Sequence, residues 1–89
     1  MTIHLSLSAP EHSHLIVNYH EVLLEQIFSM DWNYIAMPRP GDFLDFALIT
    51  GLIADQVNVA MLPKIWQVMD IRWSRKADNI VPVLNVVGK

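Results

Sequence analysis

Between Lys64 and Ser74 the chain reads as its longest strand, and the apolar side chains change phase in the middle of it. Trp66 and Val68 share one parity, Ile71 and Trp73 the other, with Met69-Asp70 between them. Side chains alternate across a strand with a period of two, so a regular strand would split these four between opposite faces. Two architectures accommodate them. A β-bulge at Met69-Asp70 resets the phase and gathers all four on one face. An unbulged strand instead needs both faces covered, by helices or by a partner chain. The bulge is the expected solution, because burying a large aromatic contributes roughly 2–3 kcal/mol, more than a local break in the ladder costs. It also turns Asp70 and Arg72 outward and adds the twist that a short sheet needs to curl around its core.

A core to curl around is available. The 89 residues read as a single domain, 1–89, and 53% of them are hydrophobic while only 17% are charged. That composition excludes disorder, since apolar burial can offset chain entropy. The absence of cysteine excludes disulfides, thiolate metal sites and thiol nucleophiles. Met1–Ser8 alternates and lacks the basic start and apolar block of a signal peptide, and no run of 18 apolar residues occurs. The expected location is cytoplasmic, with no membrane contact.

Around the long strand the elements read as follows. Thr2–Ser8 alternates, with Ile3, Leu5 and Leu7 on one side, as a half-buried strand stopped by Ala9-Pro10. Tyr19, Leu23, Ile27 and Met30 recur at helical spacing and predict a helix from about His20 to Met30. The stretch from Glu11 to Met30 leaves an alternative open, since Leu15-Ile16-Val17 reads as strand by β-branching; the helix is favoured. Asp31–Met37 returns to extended chain. In Pro38-Arg39-Pro40-Gly41-Asp42 the prolines fix φ, and Pro40-Gly41 is the signature of a type II turn. Phe43–Phe46 reads as a short strand, and Ala47–Met61 as a helix weakened by Gly51. Arg75–Asn79 is a polar turn and Ile80–Val87 the closing strand, where Pro82 predicts an edge or a first pair.

The turn Met37-Pro38-Arg39-Pro40-Gly41-Asp42-Phe43-Leu44, the helical stretch after it, the strand ending Val68-x-x-Ile71-x-Trp73 and the last strand with Pro82 resemble a pattern in short uncharacterised bacterial and phage proteins. In that pattern Pro-Arg-x-Gly-Asp/Glu precedes an apolar strand, and a Val-x-x-Val-x-Trp strand follows later. The resemblance covers residues 37–87, with Pro40 standing where the pattern has an apolar residue. It implies a strongly bent small sheet or partly open barrel with one helix, and a phage or mobile-element setting. It brings no activity and no catalytic residue. Residues and resemblance together predict an α+β fold: a small bent antiparallel sheet or partly open barrel with one or two helices.

Candidate chemistry is thin. His4, His12, His14 and His20 invite a metal reading, but no H-E-x-x-H spacing occurs and a third ligand is wanting. Asp42 and Asp45, with Asp31, are the available paired carboxylates, yet so short a chain has little scaffold to wall a substrate cleft. Asp42 reads more simply as a turn residue that hydrogen-bonds nearby amides. No G-x-S-x-G elbow and no Gly-rich phosphate loop is present. The expectation is therefore no enzyme, no cofactor and no metal.

Binding is the remaining class. Residues 1–60 carry seven acids against one base, Arg39, while residues 61–89 carry five bases against two acids. Such a split suits a two-sided surface or contacts between copies. The apolar excess asks for a dense core, a partner or a second copy; a homodimer would bury Leu48, Leu52 and Val57 or pair an exposed edge strand. The expected function is a small non-catalytic interaction or inhibitor protein that binds another macromolecule, a host defence or regulatory factor in the phage setting. The partner-binding candidates are Arg39, Asp42, Trp66, Arg72, Trp73, Arg75 and Lys76. A single-stranded nucleic-acid-binding barrel is the alternative, with bases stacked on Trp66 or Trp73 and phosphates met by Arg72, Arg75 and Lys76. Overall negative charge counts against it. A third is a small-ligand binder with its site at a subunit interface.

Overall fold

The computed structural model describes residues 1–33 and 36–89. Its longest strand carries the expected bulge. Strand β4 (Trp66–Lys76) pairs antiparallel with β5 (Asn79–Gly88); Val68 faces Val86 and Asp70 faces Asn85, which leaves Met69 as the extra residue. Beyond the bulge Ile71 faces Leu84 and Trp73 faces Pro82. Trp66, Val68, Ile71 and Trp73 thus all stand opposite even-numbered residues of β5, on one face. Asp70 and Arg72 take the other face, and Asn85 Nδ2 donates to Asp70 Oδ1 at 2.9 Å.

Five strands form one sheet in the order β2-β1-β5-β4-β3, curled into a half-barrel. Strand β1 (Thr2–Ser8) lies parallel to β5 and antiparallel to β2 (Phe28–Asp31), while β3 (Phe43–Leu44) pairs antiparallel with the start of β4. The sheet is therefore mixed, where an antiparallel one was expected. The local alternation of β1 fixed its faces but said nothing of which strand it would join. With few and short helices the fold is a small α+β one, mostly sheet.

The core lies on the face that the bulge preserves. Ile3, Leu5 and Leu7 of β1, Phe28 of β2, Trp66 and Val68 of β4, and Leu84 and Val86 of β5 meet there. They are covered by Ile49 and Ile53 of α1 (Phe46–Ile53), by Val22 and Leu23 of a single π-helical turn, and by Ile16 and Leu62. The Trp66 ring is fully buried, and its indole N–H donates to the Pro63 carbonyl at 2.7 Å. Gly88, opposite it in the ladder, gives the ring room: a Cβ there would lie 2.9 Å from the Trp66 ring carbons.

Three expected elements are corrected. The helix expected over His20–Met30 is a π-helical turn, His20–Leu24, followed by β2. Phe28 and Met30 alternate, and pairing with Leu5 and Ile3 of β1 outweighs the helical spacing. The helix expected over Ala47–Met61 is α1, capped by the Asp45 side chain, which accepts from the Ala47 N–H at 3.3 Å, and then a 3-10 turn at Val59–Met61. Its apolar stripe is spent inward, since Leu48, Leu52 and Val57 are half-buried against the core. Finally, Pro82 belongs to a central strand. It faces Trp73 on one side and immediately precedes the first pair of the β1 ladder, His4 with Val83, so no ladder bond is lost there. Of the extended chain expected over Asp31–Met37, Tyr34 and Ile35 lie outside the described residues.

The bulge is directly testable. Deleting Met69 alone leaves Trp66, Val68, Ile71 and Trp73 in plain alternation on one face and should be tolerated. Deleting Met69 and Asp70 together turns Ile71 and Trp73 to the other face, so Tm should then fall by at least about 10 °C. Met69→Ser keeps the extra residue and removes only an exposed side chain. Thermal unfolding of that variant should stay within about 4 °C of the parent.

Candidate binding surface

A half-barrel has two unjoined edges, here β2 and β3. They face each other across a groove lined by Met30, Asp31 and Trp32 from the end of β2, Phe43, Leu44 and Asp45 from β3, and Leu48 of α1, with a volume of about 620 Å³. A second hollow of about 550 Å³ shares Trp32, Phe43 and Leu44 and continues the groove to Met37, Pro38, Arg39 and Asp42. The lining is mostly apolar, with three carboxylates, Asp31, Asp42 and Asp45, the Arg39 guanidinium and the Asn33 amide among it.

Local stereochemistry builds the rim. The Asp42 N–H donates to the Arg39 carbonyl at 3.0 Å, and Gly41 sits between them at φ +95, which completes the type II turn expected from Pro40-Gly41. The Asp42 carboxylate accepts from the Arg39 backbone N–H at 2.8 Å, so the amide it serves lies before the turn rather than after it. The turn is stitched to the bulge: Gly41 N–H donates to the Val68 carbonyl at 2.7 Å and Val68 N–H to the Asp42 carbonyl at 2.9 Å. On the far wall, Trp32 N–H donates to the Met1 carbonyl at 2.7 Å, and its indole N–H to Ala36 at 2.8 Å. Both walls are therefore tied into the fold by hydrogen bonds.

The structure separates the sequence-derived candidates into two places. Arg39 and Asp42 line the groove, with the Arg39 side chain exposed and its backbone tied to Asp42. Arg72, Trp73, Arg75 and Lys76 lie on the far half of the β4–β5 hairpin, past β3; Arg72 stands opposite Val83, where the β1 ladder begins, and the other three lie beyond it. Trp73 is 57% exposed there. Trp66 belongs to neither place: it is a core residue and offers no contact surface. Nor does the basic cluster act as one patch, because Trp73 and Arg75 share a face while Arg72 and Lys76 take the opposite one.

Phe43 is the groove residue that sequence reasoning did not single out. It is 65% exposed on a two-residue strand and lines the groove along its length. Its position directly after the Gly41-Asp42 turn was the available signal. The histidines stand apart: His4 on β1, His12 and His14 in the 3-10 turn Pro10–Leu15, His20 at the start of the π-helical turn. Among the described residues no group of three or more potential ligands is placed to hold a metal ion. None of the helices described is long and apolar enough to cross a membrane. Comparison with protein-family models, curated proteins and solved structures finds no match.

The rim supplies a test of this geometry. Asp42→Ala removes the carboxylate that holds the turn and should destabilise the chain by about 1 kcal/mol, a fall in Tm of about 4–8 °C. Arg39→Ala leaves that backbone bond in place and should change Tm by less than about 2 °C in the same measurement.

Proposed function

We propose that this chain is a non-catalytic binding protein that receives an apolar segment of another protein in the groove between β2 and β3. The exposure of Phe43 beside Leu44 and Trp32 carries this reading, because a side chain of that size left in water on a groove gains most from being covered. Asp31, Asp42 and Asp45 on the rim favour a partner with basic residues flanking its apolar contact, and repel acidic competitors. Inhibition of a host factor, by holding one of its apolar segments, is a role of this kind.

Binding of single-stranded nucleic acid draws its support from the exposed Trp73 beside Arg75. The division of the basic residues between two faces weakens it. Titration with an oligonucleotide at low and moderate salt separates the readings: a protein-binding role predicts no salt-dependent binding.

Phe43→Ser tests the groove. Being exposed in the free protein, Phe43 should be replaceable with a change in Tm below about 4 °C. Capture of a partner from lysate by the immobilised chain should fall at least about tenfold with the same substitution. Capture that persists undiminished with Phe43→Ser would exclude the groove as the contact.

A further inference from the structure

The hairpin that projects from the body leaves a long strand edge with no partner. Strand β4 has eleven residues, yet β3 covers only Trp66 and Gln67, and the Gly41-Asp42 turn covers Val68. From Met69 to Lys76 the edge facing away from β5 is unpaired among the described residues. Natural sheets blunt so long an edge with proline, with charge or with a bulge; this one has the bulge at Met69 and charges of both signs, Asp70 against Arg72, Arg75 and Lys76, which an edge of matching register can pair. Here the edge carries no proline.

The hydrogen bonds at Val68 set the phase of this edge. Val68 gives its N–H and C=O to Asp42 and Gly41, hence away from β5. The extra residue at Met69 turns Asp70 toward Asn85 of β5, and alternation resumes from there. The N–H and C=O groups of Ile71, Trp73 and Arg75 therefore point out from the free edge. Pro82, opposite Trp73, fits this phase, because that pair exchanges no ladder bond and needs no N–H from proline.

We infer that a second copy of this chain pairs with the first along this edge, antiparallel, with the two-fold axis through Trp73. In that register Trp73 faces the second copy's Trp73, Ile71 faces its Arg75, and all three outward-pointing residues bond across the interface. Asp70 falls opposite the second copy's Lys76, and Arg72 opposite its Ser74, each twice by symmetry. The neighbouring registers fail on charge. An axis through Arg72 sets two arginines face to face, and one through Ser74 sets Arg72 against Lys76. An axis through Ile71 drives Trp73 against the bulge and the turn beside it. Opposite charges, aromatic pairing and backbone phase select a single register. The assembly is a continuous ten-stranded sheet in which the two exposed tryptophans cover each other. It pairs the distal edge of β4 and uses neither β2 nor β3, so it does not rest on the function proposed above.

Sedimentation equilibrium on the full chain, across a range of concentrations, provides the test. The expected mass is twice 10.2 kDa, falling toward 10.2 kDa on dilution. Lys76→Glu, at the exposed hairpin tip, sets like charges opposite Asp70 at both symmetric positions and should weaken the dimer about tenfold. Adding Asp70→Lys should restore it. Because Asp70 also bonds Asn85, a second measurement avoids it. The chain has no cysteine, so an equimolar mixture of Arg72→Cys and Ser74→Cys chains under mild oxidation should cross-link to each other in preference to themselves. A monomer at every concentration, a dimer indifferent to Lys76→Glu, or cross-linking without preference for the mixed pair would overturn the inference.

Discussion

The bulge that takes Met69 out of the β4 ladder is what lets the two halves of the longest strand serve a single sheet face. The packing of Ile71 against the core depends on that phase. Trp66 and Val68 close the core from one side while Leu84 and Val86 meet them from β5 and Leu5 and Leu7 from β1. Were β4 regular beyond Val68, Ile71 and Trp73 would face outward and the charged Asp70 and Arg72 would face in. Burying unpaired charge costs more than the hairpin could recover. The bulge also shapes the barrel, because bulges sharpen twist and a five-stranded sheet must bend to enclose side chains on one face.

The same point ties the core to the groove. The Gly41-Asp42 turn bonds to Val68 on both sides of its peptide, so the rim of the groove is anchored where the strand kinks. Beyond that anchor the edge of β4 is released. The hairpin thus has a proximal half built into the body and a distal half that stands free, with Trp73 on the core-facing side but past the end of the core. A sheet that remains open between β2 and β3 keeps a groove at one place and a strand edge at another, and each offers a different kind of contact. The proposed edge pairing would use backbone groups and charge register, and the proposed groove contact would use apolar area with an acidic rim.

Much of this was legible in local chemistry. The phase change among Trp66, Val68, Ile71 and Trp73 announces the bulge, and Pro40-Gly41 announces a type II turn that only glycine at φ +95 fills comfortably. Elements that depend on distant partners were not legible. Tyr19, Leu23, Ile27 and Met30 fit a helix, and only the presence of Leu5 and Ile3 beside Phe28 and Met30 makes β2 the better solution. The parallel joining of β1 to β5 is likewise a property of the assembled sheet. Trp66 and Trp73 are indistinguishable in sequence, same residue and same face. One is core and the other surface solely because β1 and β3 end before reaching the hairpin's far half. Phe43 was missed as a contact residue for the same reason: what lies beside it is set by where the sheet fails to close.

The phase of β4 can be read directly by proton NMR. In an antiparallel ladder the residues of a non-hydrogen-bonded pair bring their Hα atoms into close contact, whereas those of a hydrogen-bonded pair do not. The bulged strand predicts Hα–Hα cross-peaks between Ile71 and Leu84 and between Trp73 and Pro82, and none between Arg72 and Val83. Cross-peaks between Asp70 and Leu84 and between Arg72 and Pro82, the close pairs that unbroken alternation from Val68 and Val86 would set, would contradict the account at its centre.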